Sequence, residues 1–404
     1  MTTAPLPELP GMPTARPAGH PFDPPEELAG VRPLARIPLA DRTPGWLVTG
    51  FAAARAVTSD PRFSTRSELQ RLVLPRFGMP DRMPPAPPGM FLQADPPEHT
   101  RYRRLLTGRF TVRRMRLLTE RVERTVADHL DAMERAGGPA DLVTAYAQPV
   151  PALVICEILG VPAEDHARFN GAARTFNDPA ATAEETDRAW QELYAYLRDL
   201  VAAKRSAPTD DILSELTDSD LTEEELVNVA TLLLAAGLDT TANMIALGTF
   251  ALLLHPDQLA VMRDEPAAVD KGVEELMRYL SIPHTGQRAA LEDVELEGHT
   301  IKEGDTVAVS LAAANRDPER FPDPDRLDLR RDAPGHLSFG HGVHQCLGQQ
   351  LARVEMRAAF PALLRRLPDL RLAVPPEEVP LRSEADIYGV EALPVTWGPE
   401  GGGR

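Results

Sequence analysis

The longest apolar run in the chain is Val229–Leu254, 26 residues that carry a single charge, Asp239. A stretch of that length can cross a bilayer as a helix. Three features mark it instead as a core helix. Asp239 falls near its middle, where a carboxylate costs about 2.5–3.5 kcal/mol on the insertion scale. Thr240, Thr241 and Asn243 add polar groups, and no Lys/Arg asymmetry flanks the run. Thr222 with Glu225 three residues later forms a capping box, and His255-Pro256 closes the far end. The pattern predicts one helix over Glu223–Leu254, about 48 Å long at about 1.5 Å per residue. A helix that is apolar all round is buried all round.

Helical periodicity recurs over Glu98–Arg109, Arg113–Arg135, Ala152–Leu159, Thr186–Arg205, Pro256–Glu265, Ala268–Leu280 and Gln349–Leu367. Strand-like alternation is short and scattered, at Trp46–Thr49, Thr306–Leu311, Leu370–Val374 and Leu393–Trp397. Without βαβ alternation a doubly wound sheet is excluded, and the class is mainly α with small β-sheets. Residues 1–32 read as an extended, proline-rich polar arm, 33–397 as one domain and 398–404 as a flexible tail. Between helical zones lies Pro75–Pro97, with eight prolines plus Met79, Met83 and Met90. A long aperiodic loop of this kind is either a stiffened surface loop or a functional one, and its methionines suit an adaptable apolar pocket.

Composition narrows the function. The balance of 43 basic against 60 acidic residues gives a net charge of −17, which argues against general affinity for nucleic acid or an anionic membrane. Two cysteines, Cys156 and Cys346, give no disulfide framework and point to a reducing, cytoplasmic setting. The amino terminus has no secretory h-region.

The chemistry concentrates in Phe339-Gly340-His341-Gly342-Val343-His344-Gln345-Cys346-Leu347-Gly348. Its closely spaced glycines suggest a tight bulge where backbone approaches something closely. Cys346 immediately precedes a helical pattern, so its sulfur meets unpaired backbone N–H groups and the positive end of a dipole, which favour thiolate. From these residues alone the thiolate is a nucleophile, a zinc ligand or an axial ligand to iron. Zinc would crowd His341, His344 and Cys346 into six residues with no second ligand pair.

The decapeptide resembles the heme-binding signature of the cytochrome P450 family at every fixed position, and Leu351-Ala352-Arg353 continues its bacterial form. Thiolate-ligated heme is the form that favours O–O cleavage. Three further motifs occur in the family's order. Ala236-Gly237-Leu238-Asp239-Thr240-Thr241 lies mid-helix, where small Ala236 and Gly237 would admit a flat ligand. The resemblance assigns proton delivery during oxygen activation to Asp239 and Thr240. A purely structural alternative has threonine bonding back to the i−4 carbonyl and Asp239 paired with a distant arginine. Glu275 and Arg278, at i and i+3, share a helix face; in the family such a pair is joined by a later arginine, for which Arg326 fits, as scaffold for the cysteine loop. His99 and Arg103 stand one turn apart, and by resemblance they join Arg288 and His344 as donors to the heme propionates.

The resemblance runs from about Pro33 to Trp397. It implies a cytochrome P450 fold, heme b held by Cys346 and contacted by Phe339, Gly340 and Gly348, and a monooxygenase using O2 and electrons from a ferredoxin. Nine arginines against two acids in Arg101–Arg124 suggest a basic docking face near Arg113 and Arg353. By family position, Met79, Met83, Leu92, Leu232, Ala235, His284, Ile387 and Tyr388 line a mostly apolar pocket suited to a bulky lipophilic molecule. The expectation is a monomeric tailoring enzyme of secondary metabolism acting on a polyketide, macrolide or terpenoid. A xenobiotic or fatty-acid oxidase and a non-catalytic heme sensor are the alternatives.

Overall fold

The computed structural model describes residues 6–74, 80, 82–110, 112–166, 168, 171, 175, 182–382 and 387–398, with backbone only for 112–117 and 183. Helices dominate: α1 (Phe51–Ser59), α2 (Glu98–Thr107), α3 (Val112–Ala136), α4 (Pro149–Leu159), α5 (Ala183–Ser206), α6 (Ile212–Leu216), α7 (Glu223–Leu254), α8 (Pro256–Asp264), α9 (Val269–Leu280), α10 (Leu311–Ala314) and α11 (Gln349–Arg366).

Helix α7 begins and ends where the sequence places it. Thr222 Oγ1 accepts from Glu225 N at 3.2 Å while a Glu225 carboxylate oxygen accepts from Thr222 N at 2.7 Å, the reciprocal capping box. Two-thirds of its most apolar window (67%) is buried within the protein, the behaviour of a core helix. Two glycines let neighbours close on it. A β-carbon on Gly237 would stand 3.2 Å from Ile155 of α4, and one on Gly248 would fall 2.6 Å from the Phe360 ring of α11. Helix α3 lies across α11 on an apolar stripe of Val122, Val126, Leu130 and Met133, spaced at one helical face.

Beside this helical layer sits a five-stranded sheet ordered β1 (Leu34–Pro38), β2 (Pro44–Val48), β8 (Thr306–Ser310), β5 (Thr285–Ala290), β3 (Phe63–Ser64). β2 runs parallel to β8 in the register Trp46↔Val307 and Val48↔Val309, while the other pairs are antiparallel. A three-stranded sheet joins β4 (Ala140–Asp141), β10 (Pro394–Thr396) and β9 (Arg371–Leu372), and β6 (Val294–Leu296) pairs with β7 (His299–Ile301).

The proline-rich arm differs from its sequence-based reading. It is irregular but packed, with Met12, Phe22, Leu28 and Val31 buried. Phe22 meets Phe250 edge-on at 5.1 Å, Arg316 donates to Phe22 O at 2.9 Å, and Leu9 and Arg36 exchange backbone bonds with the arm and β1. Apolar anchors spaced along the chain, together with these hydrogen bonds, seat it.

Candidate active site

The segment before Cys346 is hung from a buried ionic cluster. Glu275 and Arg278 are wholly buried, and their carboxylate and guanidinium meet through two bonds of 2.7 and 2.9 Å. Arg331 Nε adds a third contact to Glu275 at 3.0 Å. Arg278 also donates to the Asn315 carbonyl, and Asn315 in turn accepts from Leu337 N at 2.7 Å and donates to Ser338 Oγ at 3.0 Å. A fork-shaped guanidinium with its donors taken in this way fixes backbone rather than reacting. The arginine that completes the cluster is therefore Arg331, not Arg326. Arg326 is 69% exposed and reaches only Asp328, at 4.0 Å. Arg326 lies too early in the turn, which bends so that Arg331 re-enters the core and donates to the carbonyl of Arg326 itself.

From Ser338 the chain closes on itself, with Cys346 N donating to Phe339 O at 2.8 Å. Gly340 and Gly342 both adopt positive φ, +68° and +77°. A β-carbon on Gly342 would collide with the Thr58 carbonyl of α1, whereas the space beside Gly340 and Gly348 is open. The glycines thus do different jobs: one permits close packing on α1, and the others leave a clear surface around the sulfur. Cys346 is exposed, yet burial pushes its thiol pKa up, the combination of a side chain facing an enclosed space. The backbone N–H of Gly348, the charges of Arg103 and Arg353 and the N–H of Gln349 pull the other way. The helix-terminus effect expected from sequence is present but outweighed by desolvation. A bound cation at sulfur would tip that balance to thiolate.

Four nitrogen-bearing side chains converge nearby. The rings of His99 and His344 lie 4.1 Å apart, and the Nδ1 of each is buried without a partner among the described residues. His344 Nε2 meets Thr65 Oγ1 at 3.2 Å. Burial, then the charge of Arg103, lowers the His99 pKa to about 4; burial, then His99, Arg288 and Arg103, lowers that of His344 to about 3. Burial also lowers Arg103, and Arg288 to about 10. Among the described residues neither arginine forms an ion pair, and Asp95, whose charge acts on Arg288, accepts from Ser64 Oγ and Thr65 N. Arg288 Nη1 donates to Gln287 O at 2.7 Å, but two buried imidazole nitrogens and two guanidinium charges with no anionic partner among the described residues form an unmatched positive site. Two carboxylates would satisfy it, so the donor set and the open glycine surface beside Cys346 fit heme b.

Helix α7 supplies the opposite wall. Ala235 and Ala236 are exposed in the middle of an otherwise buried helix, so they face a space inside the protein. Gly237 does not: its missing β-carbon points at Ile155, so it serves helix packing rather than approach of a flat ligand. Thr240 Oγ1 donates to the Ala236 carbonyl at 2.9 Å. Asp239 Oδ1 accepts from Arg382 and from Asn243 Nδ2, both at 2.8 Å. The structural alternative weighed for this pair is thus the geometry seen.

The expected pocket residues divide. Met83, Leu232 and Ile387 are half-buried, and Pro283 bridges to Ile387. His284 is buried, with Nδ1 3.2 Å from Thr285 Oγ1. Tyr388 is a core tether: it is 1% exposed, its hydroxyl donates to Pro21 O at 2.6 Å, and Arg16 stacks on its ring. Its polar tip is occupied by the arm that sequence left unpacked. Leu92 is 53% exposed. Met79 lies outside the described residues. Beside the expected docking face, arginines on α11 form ion pairs within the chain. Arg353 pairs with Glu274 at 2.6 Å, Arg357 with Asp270 at 2.8 Å and Arg366 with Asp131 and Glu134, while the Arg113 side chain lies outside the described residues. Although burial alone would raise Glu274, His336 and Arg353 hold its pKa at about 2.

A family model described as Cytochrome P450 matches residues 173–390. The chain is 50% identical to Cytochrome P450 105C1 of a Streptomyces species over 382 residues, 93% of this chain and 96% of that protein. It is 45% identical to pentalenic acid synthase of Streptomyces avermitilis, over 93% of this chain and 95% of that protein. The crystal structure of CYP105P1 in complex with filipin I superposes with a TM-score of 0.89 at 42% identity, covering 96% of this chain and 99% of that one. With its cysteine loop, unmatched cationic site and fold accounted for together, the chain belongs to the cytochrome P450 family: it is a bacterial monooxygenase of the CYP105 type whose cofactor is heme b.

Proposed function

We propose that the enzyme oxidises a bulky lipophilic small molecule in secondary metabolism, a polyketide, macrolide or terpenoid scaffold, with electrons supplied by a ferredoxin in the cytoplasm. The observation that carries the heme assignment is the unmatched set of His99, His344, Arg103 and Arg288 beside Cys346 and its open glycine surface. When bound, the heme supplies dioxygen activation and insertion of one oxygen atom into a C–H or C=C bond. The protein's residues do the rest. Cys346 offers the sulfur ligand, and the two histidines and two arginines anchor the propionates. Ala235 and Ala236 keep the wall of α7 low, and Met83, Leu232 and Ile387 offer apolar contact.

Asp239 is the proton-handling acid and Thr240 its alcohol partner. Thr240 bonded back to Ala236 O keeps its oxygen lone pairs free to accept. The relatives named for pentalenic acid and crystallised with filipin I support a terpenoid or polyketide substrate over a xenobiotic. Titrating the heme-loaded protein with macrolide, polyketide and terpenoid scaffolds should produce a substrate-type spin-state shift, and turnover with ferredoxin and its reductase should add one oxygen. Shifts given by fatty acids or xenobiotics but by no such scaffold would overturn this reading. Ferredoxin docking is placed on the basic face near Arg113 and Arg353; reduction that stays fast at high salt would remove that face.

A further inference from the structure

The acid of the mid-helix pair is gripped from a segment 143 positions away. Arg382 Nη1 and Asn243 Nδ2 both donate to Asp239 Oδ1 at 2.8 Å, so both land on one oxygen. Oδ2 is left without a protein donor among the described residues. Arg382 N donates to Gly389 O at 3.0 Å, and Leu381 bridges to Val390. Gly389 is pressed against Asn243 so closely that a β-carbon would overlap the amide oxygen. Ile387, two residues before Gly389, bridges to Pro283.

From this we infer that Arg382 is a positioning residue for Asp239, one that sets how the acid is presented for proton transfer. The inference rests on the reading of Asp239 as the proton-handling acid. A charge-assisted bond and an amide bond on one oxygen hold the carboxylate in a single rotamer and leave the other oxygen to exchange protons. Asn243, one helical turn on, is the fixed half of the grip. Arg382 is the half that belongs to another segment, so its loss would loosen the acid without altering α7.

The test uses heme-loaded protein with three variants, Asp239→Asn, Arg382→Met and Arg382→Lys, and the double variant. Two readouts are taken: the share of reducing equivalents released as peroxide during turnover with an accepted substrate, and the thermal midpoint. Arg382→Met should raise the peroxide share severalfold, Arg382→Lys should recover most of the loss, and the double variant should be no more uncoupled than Asp239→Asn. Thermal shifts of the two single variants should be non-additive, as for groups in contact. An uncoupled Asp239→Asn beside an Arg382→Met with wild-type partition overturns this inference alone, as do strictly additive thermal shifts. An Asp239→Asn with wild-type partition overturns the acid reading itself, and this inference with it.

Discussion

His99 and His344 come from segments 245 positions apart, yet their rings lie 4.1 Å from one another and each buries an unpartnered Nδ1. Two imidazoles driven toward neutrality by burial beside two unpaired arginines are unfavourable in the protein alone. Their arrangement makes sense as one half of an interaction with an anionic group.

That half can be removed piece by piece. Charge-assisted hydrogen bonds contribute about 1.5–3 kcal/mol each. Arg103→Leu and His99→Phe should therefore each speed heme transfer to an apoprotein acceptor, by roughly tenfold to a hundredfold for the arginine. Heme release at the wild-type rate from both variants would count against the propionate assignment.

The buried cluster under the cysteine loop separates Arg331 from Arg326. Glu275 and Arg278 have no exposed surface, and removing one partner of such a pair costs about 3–5 kcal/mol. Glu275→Ala should show that loss in urea unfolding. Arg331→Ala, which strips one contact from Glu275, should be measurably destabilised, whereas Arg326→Ala should stay within about 0.5 kcal/mol of wild type. Equal losses from the two arginine variants would restore Arg326 to the cluster.

Glu355 on α11 gives a pH signature. Burial raises its pKa from 4.5 to about 8, against a hydrogen bond from Thr241 that lowers it. Folded, the carboxyl keeps its proton across neutral pH; unfolded, it ionises above about 4.5. Its folded pKa is raised above the unfolded one, so the stability it contributes is full below about 4.5 and is lost as pH climbs toward 8. Glu355→Gln should match wild type near pH 5 and exceed it near pH 8, by on the order of 3 kcal/mol. A stability difference that does not change with pH would show the group to be ionised in the fold.

Much of this was legible in the chain because single long elements announce themselves. The bounds of α7 follow from a capping box and a His-Pro stop, and Gln349–Arg366 starts where the cysteine motif ends. Short strands hid. β1 carries Arg36 and Pro38, and β5 reads TGQRAA, with one β-branched residue among six. Both are strands because neighbours pair with them, not because their own sequence favours it. In the site, residues carried by local motifs, Cys346, His344, His99 and Arg103, lie near one another. Those defined by return of the chain carry no such motif. Arg331 and Arg382 are ordinary surface-type arginines in sequence, and only folding sets them against Glu275 and Asp239. Glycine types were also read as one signal, while Gly237 packs on Ile155 and Gly340 faces open space.

The sulfur of Cys346 is the point on which the account turns, and the reduced carbon monoxide difference spectrum interrogates it directly. Wild-type protein loaded with heme should give the red-shifted Soret band of a thiolate-ligated carbonyl adduct, and Cys346→Ser should lose that band while keeping its helical content. A band unchanged by that substitution, or a protein that takes up no heme when heme is abundant, would contradict it.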